Sequence, residues 1–338
     1  MENQQTPRSR NRPDAGTAVY TRSDGRSSPT AGYAALMESA ALVDLSHRAV
    51  MRLSGRDPVG MLNAVVTNEV PEEPDLGAYA LLLSPKGRVL TDLRVLKARP
   101  DVLIDTEPEG AAAARELLGR YAPFSRVTLE DLSGHDEPWG VLGLYGPRAK
   151  ELLGGPELTE HASAAVSAGG VNVLAAGVKV PVAGYDLLGP EGALIPVREH
   201  LLEQGAISTH RDAYETARVA AGVPRFGADI TPENFPAEAR LLDRAVSFEK
   251  GCYPGQETVA RMHYRGHPNR ELYRLLVVEG AIPTPGAEIL QNGKRVGHVT
   301  SVAPLPVDGR VGALGYLHRN AEPRETLRAG DAALRASL

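Results

Sequence analysis

One cysteine, one tryptophan and four phenylalanines in 338 residues set the first limits on this chain. The lone Cys252 excludes an internal disulfide framework and any Cys-rich zinc site. A retained thiol suits a reducing compartment, so the chain is read as cytoplasmic. No stretch approaches the roughly 20 apolar residues needed to span a bilayer. Met1 to Ser28 lacks the apolar run of a secretory signal. No GxGxxG or P-loop follows a strand-like run, which argues against a dinucleotide or nucleotide-phosphate site. A large charge is also missing. With a formal net charge of −5, no general attraction to nucleic acid or anionic membrane is expected. His263 and His267 have helical metal-ligand spacing, but Gly266 and Pro268 oppose the helix and no third ligand follows, so no metal site is expected.

What is present is ordinary for a globular protein: 42% hydrophobic and 23% charged residues, in a chain long enough for about two or three packed modules. Met1–Pro29 holds five arginines against three acids and almost nothing to bury, which predicts a disordered, solvated tail. Asp57-Pro58 is a helix start with Asp as N-cap. Tyr79–Leu83 and Val89–Leu96 read as strands of a hairpin turning at Ser84-Pro85-Lys86-Gly87. Pro108–Tyr121 reads as a helix. Glu160–Leu174 has no readable pattern. Val178–Leu188 is β-like. Pro196–Gln204 and Asp212–Ala221 are expected helices, ended by Gly205 and Gly222. From Glu271 onward short strands separated by Gly and Pro, with Asn292-Gly293 as a hairpin turn, predict a small all-β module.

The most informative stretch is Ser247–Arg270, SFEKGCYPGQETVARMHYRGHPNR. Gly251 and Gly255 frame Cys252, so the segment reads as a tight turn presenting the thiol. The Lys250 ammonium nearby would favour the thiolate. The competing reading is a small buried hydrophobe.

Lys250-Gly251-Cys252-Tyr253-x-Gly255-Gln256-Glu257, then Val259-Ala260-Arg261 and Tyr264-Arg265-Gly266, resembles the signature of the YgfZ family. Those are folate-binding proteins implicated in making or repairing iron–sulfur clusters, within the superfamily of the glycine-cleavage aminomethyltransferase (T-protein, GcvT-like). The likeness runs from about Ala41 to the C-terminus and includes Thr67-Asn68-Glu69 after the first helix. It implies an α+β, three-lobed aminomethyltransferase-like fold around a central cavity: a tail over 1–29, two interlocked folate-binding modules over 30–268, and a closing β-barrel over 269–338. It also implies tetrahydrofolate, or a one-carbon derivative, as ligand.

The resemblance assigns residues one by one. T-proteins have Asp-Asp-Leu where this chain has Thr91-Asp92-Leu93. One acid remains, as a catalytic carboxylate or a hydrogen-bonded structural one, and the loss puts aminomethyl transfer in doubt. Asp186 in Gly184-Tyr185-Asp186 stands as a shortened equivalent of a pterin-contacting glutamate. Arg218 matches the Arg-x-x-x-Gly arginine that lines the folate cavity; otherwise it is a solvated arginine of an amphipathic helix. Tyr185 and Arg225 complete the expected folate contacts. Cys252 is expected at the cavity mouth, with Lys250 keeping it a thiolate and Gln256 and Glu257 fixing its loop. Two functions follow as expectations. One is folate-dependent iron–sulfur assembly or repair with Cys252 as the working thiol; since one cysteine cannot hold a four-ligand cluster, it would transiently ligate a cluster shared with a client or carrier protein or across a dimer, or act as a redox nucleophile. The other is a folate-dependent aminomethyltransferase or demethylase-like enzyme; a folate-binding module without chemistry is the plainest case.

Overall fold

Two sheets face one another, and a barrel closes the third side. A computed structural model describes residues 27–134 and 136–337. The first sheet is antiparallel throughout, in the order Ala78–Leu83, Val89–Ala98, Asp101–Thr106, Ala49–Gly55, Val127–Asp131. The second has six strands: Ile207–Ser208, Ala41–Asp44, Trp139–Tyr145, Gly184–Pro190, Val171–Val178 and Ser163–Ala168. Only its first pair is parallel.

Successive side chains of a strand point to opposite faces, and strands Ala78–Leu83, Trp139–Tyr145 and Gly184–Pro190 are almost continuously buried, so both faces of each sheet are covered there. One face of the five-stranded sheet (Ala80, Leu82, Leu93, Val95) packs under helices Pro58–Asn63 and Pro108–Tyr121. Its other face supplies Val50, Leu96 and Leu103 to a shared core with Val43, Val141, Tyr145 and Leu188 of the six-stranded sheet. Helices Pro29–Glu38 and Arg211–Ala220 cap that core through Leu36, Ala213 and Ala217. The outer face of the second sheet is covered by helix Glu191–Glu203.

The C-terminal strands Arg270–Glu279, Gly312–His318, Lys294–Val302, Glu288–Gln291, Leu327–Ala329 and Ala332–Ser337 form a closed barrel. Asn292 and Gly293 both have positive φ, 51° and 75°, as a two-residue hairpin turn of this kind requires. The α+β architecture with a terminal barrel is therefore as expected. Among the described residues no helix is long and apolar enough to cross a membrane.

Four local expectations change. The tail expected over Met1–Pro29 lies outside the described residues except for its end, where Ser28 caps a helix that starts at Pro29. The helix expected from Pro196 begins at Glu191 and carries Pro196 in its interior. Ser163–Ala168, in the unreadable stretch, and Val171–Val178, which begins in it, are strands, and the β-like run expected over Val178–Leu188 is a strand over Gly184–Pro190. Gln256–Arg265, expected as part of a turn, is a helix that stops at Gly266, so His267 lies beyond the helix that holds His263.

Candidate functional site

The hairpin builds one wall of a cleft between the lobes. Its register puts Tyr79 opposite Arg94 and Leu81 opposite Asp92, so Tyr79, Asp92 and Arg94 share a face, and Arg94 pairs across to Asp105. The facing sheet supplies Tyr145 and Asp186, which share a face because Asp186 pairs with Gly143 and Tyr145 with Gly184. Gly143 has to be glycine: a Cβ there would lie 2.2 Å from the Tyr145 ring. The ring folds back over it, and the Tyr145 hydroxyl donates to Asp186.

Charge is dense and ordered along this wall. Asp105 accepts Nε hydrogen bonds from Arg48 at 2.9 Å and Arg94 at 2.8 Å. Arg94 also reaches Asp186 at 2.5 Å, and Arg48 reaches Glu107. Burial alone would raise Asp105, but Arg48 and Arg94 hold it well below the usual carboxylate range. Burial would raise Glu107 too; Arg48, with His47 and Arg225, holds it at about 2. Asp92 differs. It accepts from the Tyr79 hydroxyl at 2.9 Å, and burial, with Glu107 and Asp105 nearby, outweighs Arg48 and pushes its carboxyl up to about 6.

Four cleft-lining side chains carry a buried polar atom without a hydrogen-bond partner: Asp92 Oδ1, Glu107 Oε2, His161 Nδ1 and Arg225 Nε. Buried polar atoms are nearly always partnered, so orphans gathered in one cleft mark a place for a polar ligand.

The residues singled out by sequence divide. Asp92, Asp186, Arg218 and Arg225 line the cleft. Arg218, only 4% exposed, is engaged within the protein: it donates to Glu215 at 3.0 Å, the Val223 carbonyl at 2.8 Å, Asp229 at 2.7 Å and Ser301 at 2.9 Å. Arg225 keeps its donors freer, 3.7 Å from Glu215 and 3.8 Å from Glu107. Tyr185, one residue from Asp186 on the strand, faces the opposite way into the outer core and donates to the Pro156 carbonyl at 3.1 Å.

None of Lys250, Cys252, Gln256 and Glu257 lines the cleft. Cys252 is exposed. The neighbouring Tyr253 buries into a cluster with Leu81, Leu83 and Leu241, and of that cluster Leu241 and the partly buried Tyr79 line the cleft. Lys250 is held elsewhere than on the thiol: its ammonium donates to the Val66 carbonyl at 2.6 Å and the Asn68 carbonyl at 3.2 Å. Burial pushes it down to about 8 against the opposing pull of Glu69. Asn68 continues inward, donating from Nδ2 to the Tyr79 carbonyl at 2.9 Å.

Sequence reading missed Arg48, Arg94, Glu107 and His161. The arginines and Glu107 gave a faint signal, being charged residues inside or beside apolar strands. His161 gave none.

The GCVT N-terminal domain matches residues 17–250. The chain is 28% identical over 311 residues to an aminomethyltransferase of Saccharopolyspora erythraea, covering 87% of this chain and 83% of that one. It is 31% identical over 296 residues to the human mitochondrial iron–sulfur cluster assembly factor IBA57, covering 80% and 75%. The crystal structure of the glycine cleavage system aminomethyltransferase T from Bartonella henselae superposes with a TM-score of 0.80 at 22% identity, covering 92% of this chain and 88% of that one.

Proposed function

The chain belongs to the GCVT N-terminal domain family, and from that premise we propose that it binds tetrahydrofolate in the cleft and serves iron–sulfur cluster assembly or repair, with Cys252 as the working thiol. The observation that carries the folate reading is the set of four orphan polar atoms. Asp92 and Glu107 offer acceptors and Arg225 a donor, which complements a reduced pterin with its ring N–H groups, carbonyl and anionic glutamyl tail. Asp186 and the Tyr214 ring, which stacks on the buried Tyr145 with 5.2 Å between centroids, would complete the walls. The bound folate would supply a carrier for one-carbon units. The residues of this chain would orient it and exclude water around Asp92.

The thiol reading is supported by Cys252 being exposed on a glycine-framed turn and by the likeness to the human assembly factor. Cys252 would donate one thiolate to a cluster whose other ligands come from a client or carrier protein, in a reducing compartment such as the cytoplasm. No affinity for nucleic acid or membrane is implied. A second reading, one-carbon transfer, is favoured by Asp92 alone: a buried carboxyl near 6 is poised for general acid–base work.

Titration of the purified protein with tetrahydrofolate tests the ligand, and a flat titration sinks it. Replacing Cys252→Ser in cells should lower iron–sulfur enzyme activities; unchanged activities remove the thiol from the mechanism. Consumption of an aminomethyl carrier together with tetrahydrofolate would move the assignment to the transferase.

A further inference from the structure

Four residues that line the cleft carry an orphan atom, and the side chains of Asp92 and Glu107 also make hydrogen bonds within the protein, to Tyr79 and Arg48. His161 does not. Its Nδ1 is buried without a partner, and its Nε2 lies 3.9 Å from the Glu160 carboxylate, beyond hydrogen-bond reach.

The backbone of His161 is held in an unusual state. Its φ is +64°, the left-handed region that non-glycine residues seldom enter. Both backbone groups are fixed there. The N–H donates to the Gly177 carbonyl at 2.9 Å, and the carbonyl accepts from Gly77 at 3.1 Å. Such strain persists where the surroundings over-determine it, and it gathers at ligand sites. Histidine is, with asparagine and aspartate, among the non-glycine residues that enter this region most readily, so the backbone admits the imidazole without requiring it. Its ring lies 6.2 Å from the Tyr79 ring at an interplanar angle of 24°, and the Tyr79 hydroxyl binds Asp92. His161, Tyr79 and Asp92 form one continuous wall.

We infer that His161 is a ligand-contacting residue of the cleft, its neutral imidazole accepting at Nδ1 a hydrogen bond from an N–H of the bound folate. This rests on the folate reading above. Burial, with Arg94 and Arg244 nearby, pushes the imidazole down to about 3, so it stays neutral at physiological pH. In the tautomer that carries its proton on Nε2, the Nδ1 lone pair is left for the ligand.

Two variants suit the backbone. His161→Gly relieves the positive φ and removes the ring. His161→Asn tolerates the positive φ and keeps a polar atom near the position of Nδ1. Tetrahydrofolate affinity is measured for both and for the wild type. The expected result is binding about tenfold weaker in His161→Gly, with folding intact, and recovery of most of that loss in His161→Asn. Wild-type affinity in His161→Gly overturns the inference, as does an asparagine variant no better than the glycine one. A wild type that does not bind tetrahydrofolate overturns the folate reading and this contact with it, whereas binding by wild type and His161→Gly alike overturns the contact alone.

Discussion

Asp92 and Glu107 share one cleft and titrate in opposite directions. Asp92 is raised to about 6 from an ordinary 3.8, so between those values the folded chain binds more protons than the unfolded one, and stability falls as pH rises through the window. Glu107, at about 2 against 4.5, contributes stability that is present above its unfolded value and is lost as pH falls toward 2. Asp92→Asn stays neutral at every pH and keeps an acceptor for Tyr79. Relative to wild type it should be nearly neutral at about pH 4 and more stable by about 1–3 kcal/mol at about pH 7. Urea unfolding at the two pH values measures this, and an equal gap at both would refute the assignment of the shift to Asp92. Asp92 was legible in the sequence because a carboxylate among apolar strand residues is costly without a purpose. The direction in which Arg218 points was not, since a helix pattern reports that a residue is near a cavity and not where its guanidinium finds acceptors. His161 was silent because its signal is a backbone angle.

At the level of elements, the Cys252 turn and the hairpin bearing Asp92 are clasped together by two glycines. Gly255 has φ +83°, and a Cβ there would lie 2.6 Å from the Ser84 carbonyl oxygen; a Cβ on Gly87 would lie 2.8 Å from Thr258 Cβ. Gly251 has no such neighbour within 4 Å. The two glycines framing the thiol therefore differ. Gly255→Ala should destabilise by roughly 2–4 kcal/mol through the left-handed φ and the clash, and Gly251→Ala by no more than about 0.5 kcal/mol. Thermal unfolding of the pair decides it, and equal effects would mean the clasp is not what fixes the turn. Strong patterns located most elements: Pro108–Tyr121 forms the helix its alanine run predicts, and the hairpin strands span Ala78–Leu83 and Val89–Ala98. Ser163–Ala168 stayed hidden because alanine and serine carry neither period, and the helix Gln256–Arg265 because only Val259 on it is buried. The same helix therefore leaves Arg261, His263 and Arg265 without an apolar stripe to announce them.

Across the whole molecule, the lobes meet at Asp229, which is 1% exposed. Its carboxylate accepts from Arg218 at 2.7 Å, from the Arg225 backbone at 3.1 Å and from Ser301 at 2.8 Å, and its carbonyl accepts from Tyr316 at 2.9 Å. Helix, loop and barrel are thus joined through one buried ion pair. This recasts Arg218, which the sequence offered as a folate contact. A ligand contact, once removed, would weaken folate binding and leave stability unchanged. A junction residue, once removed, strands the Asp229 charge in the interior, which costs about 3–5 kcal/mol. Arg218→Met, which keeps much of the side-chain volume, should therefore lower the unfolding free energy by that amount. It should weaken folate only in so far as Arg225, whose backbone shares Asp229, loses its place. Lysine should not rescue it, because one ammonium cannot replace the guanidinium fork that spans Glu215, Asp229 and Ser301. Denaturant unfolding beside tetrahydrofolate titration separates the cases: a fully stable Arg218→Met protein with lost affinity would return Arg218 to the ligand and refute the junction.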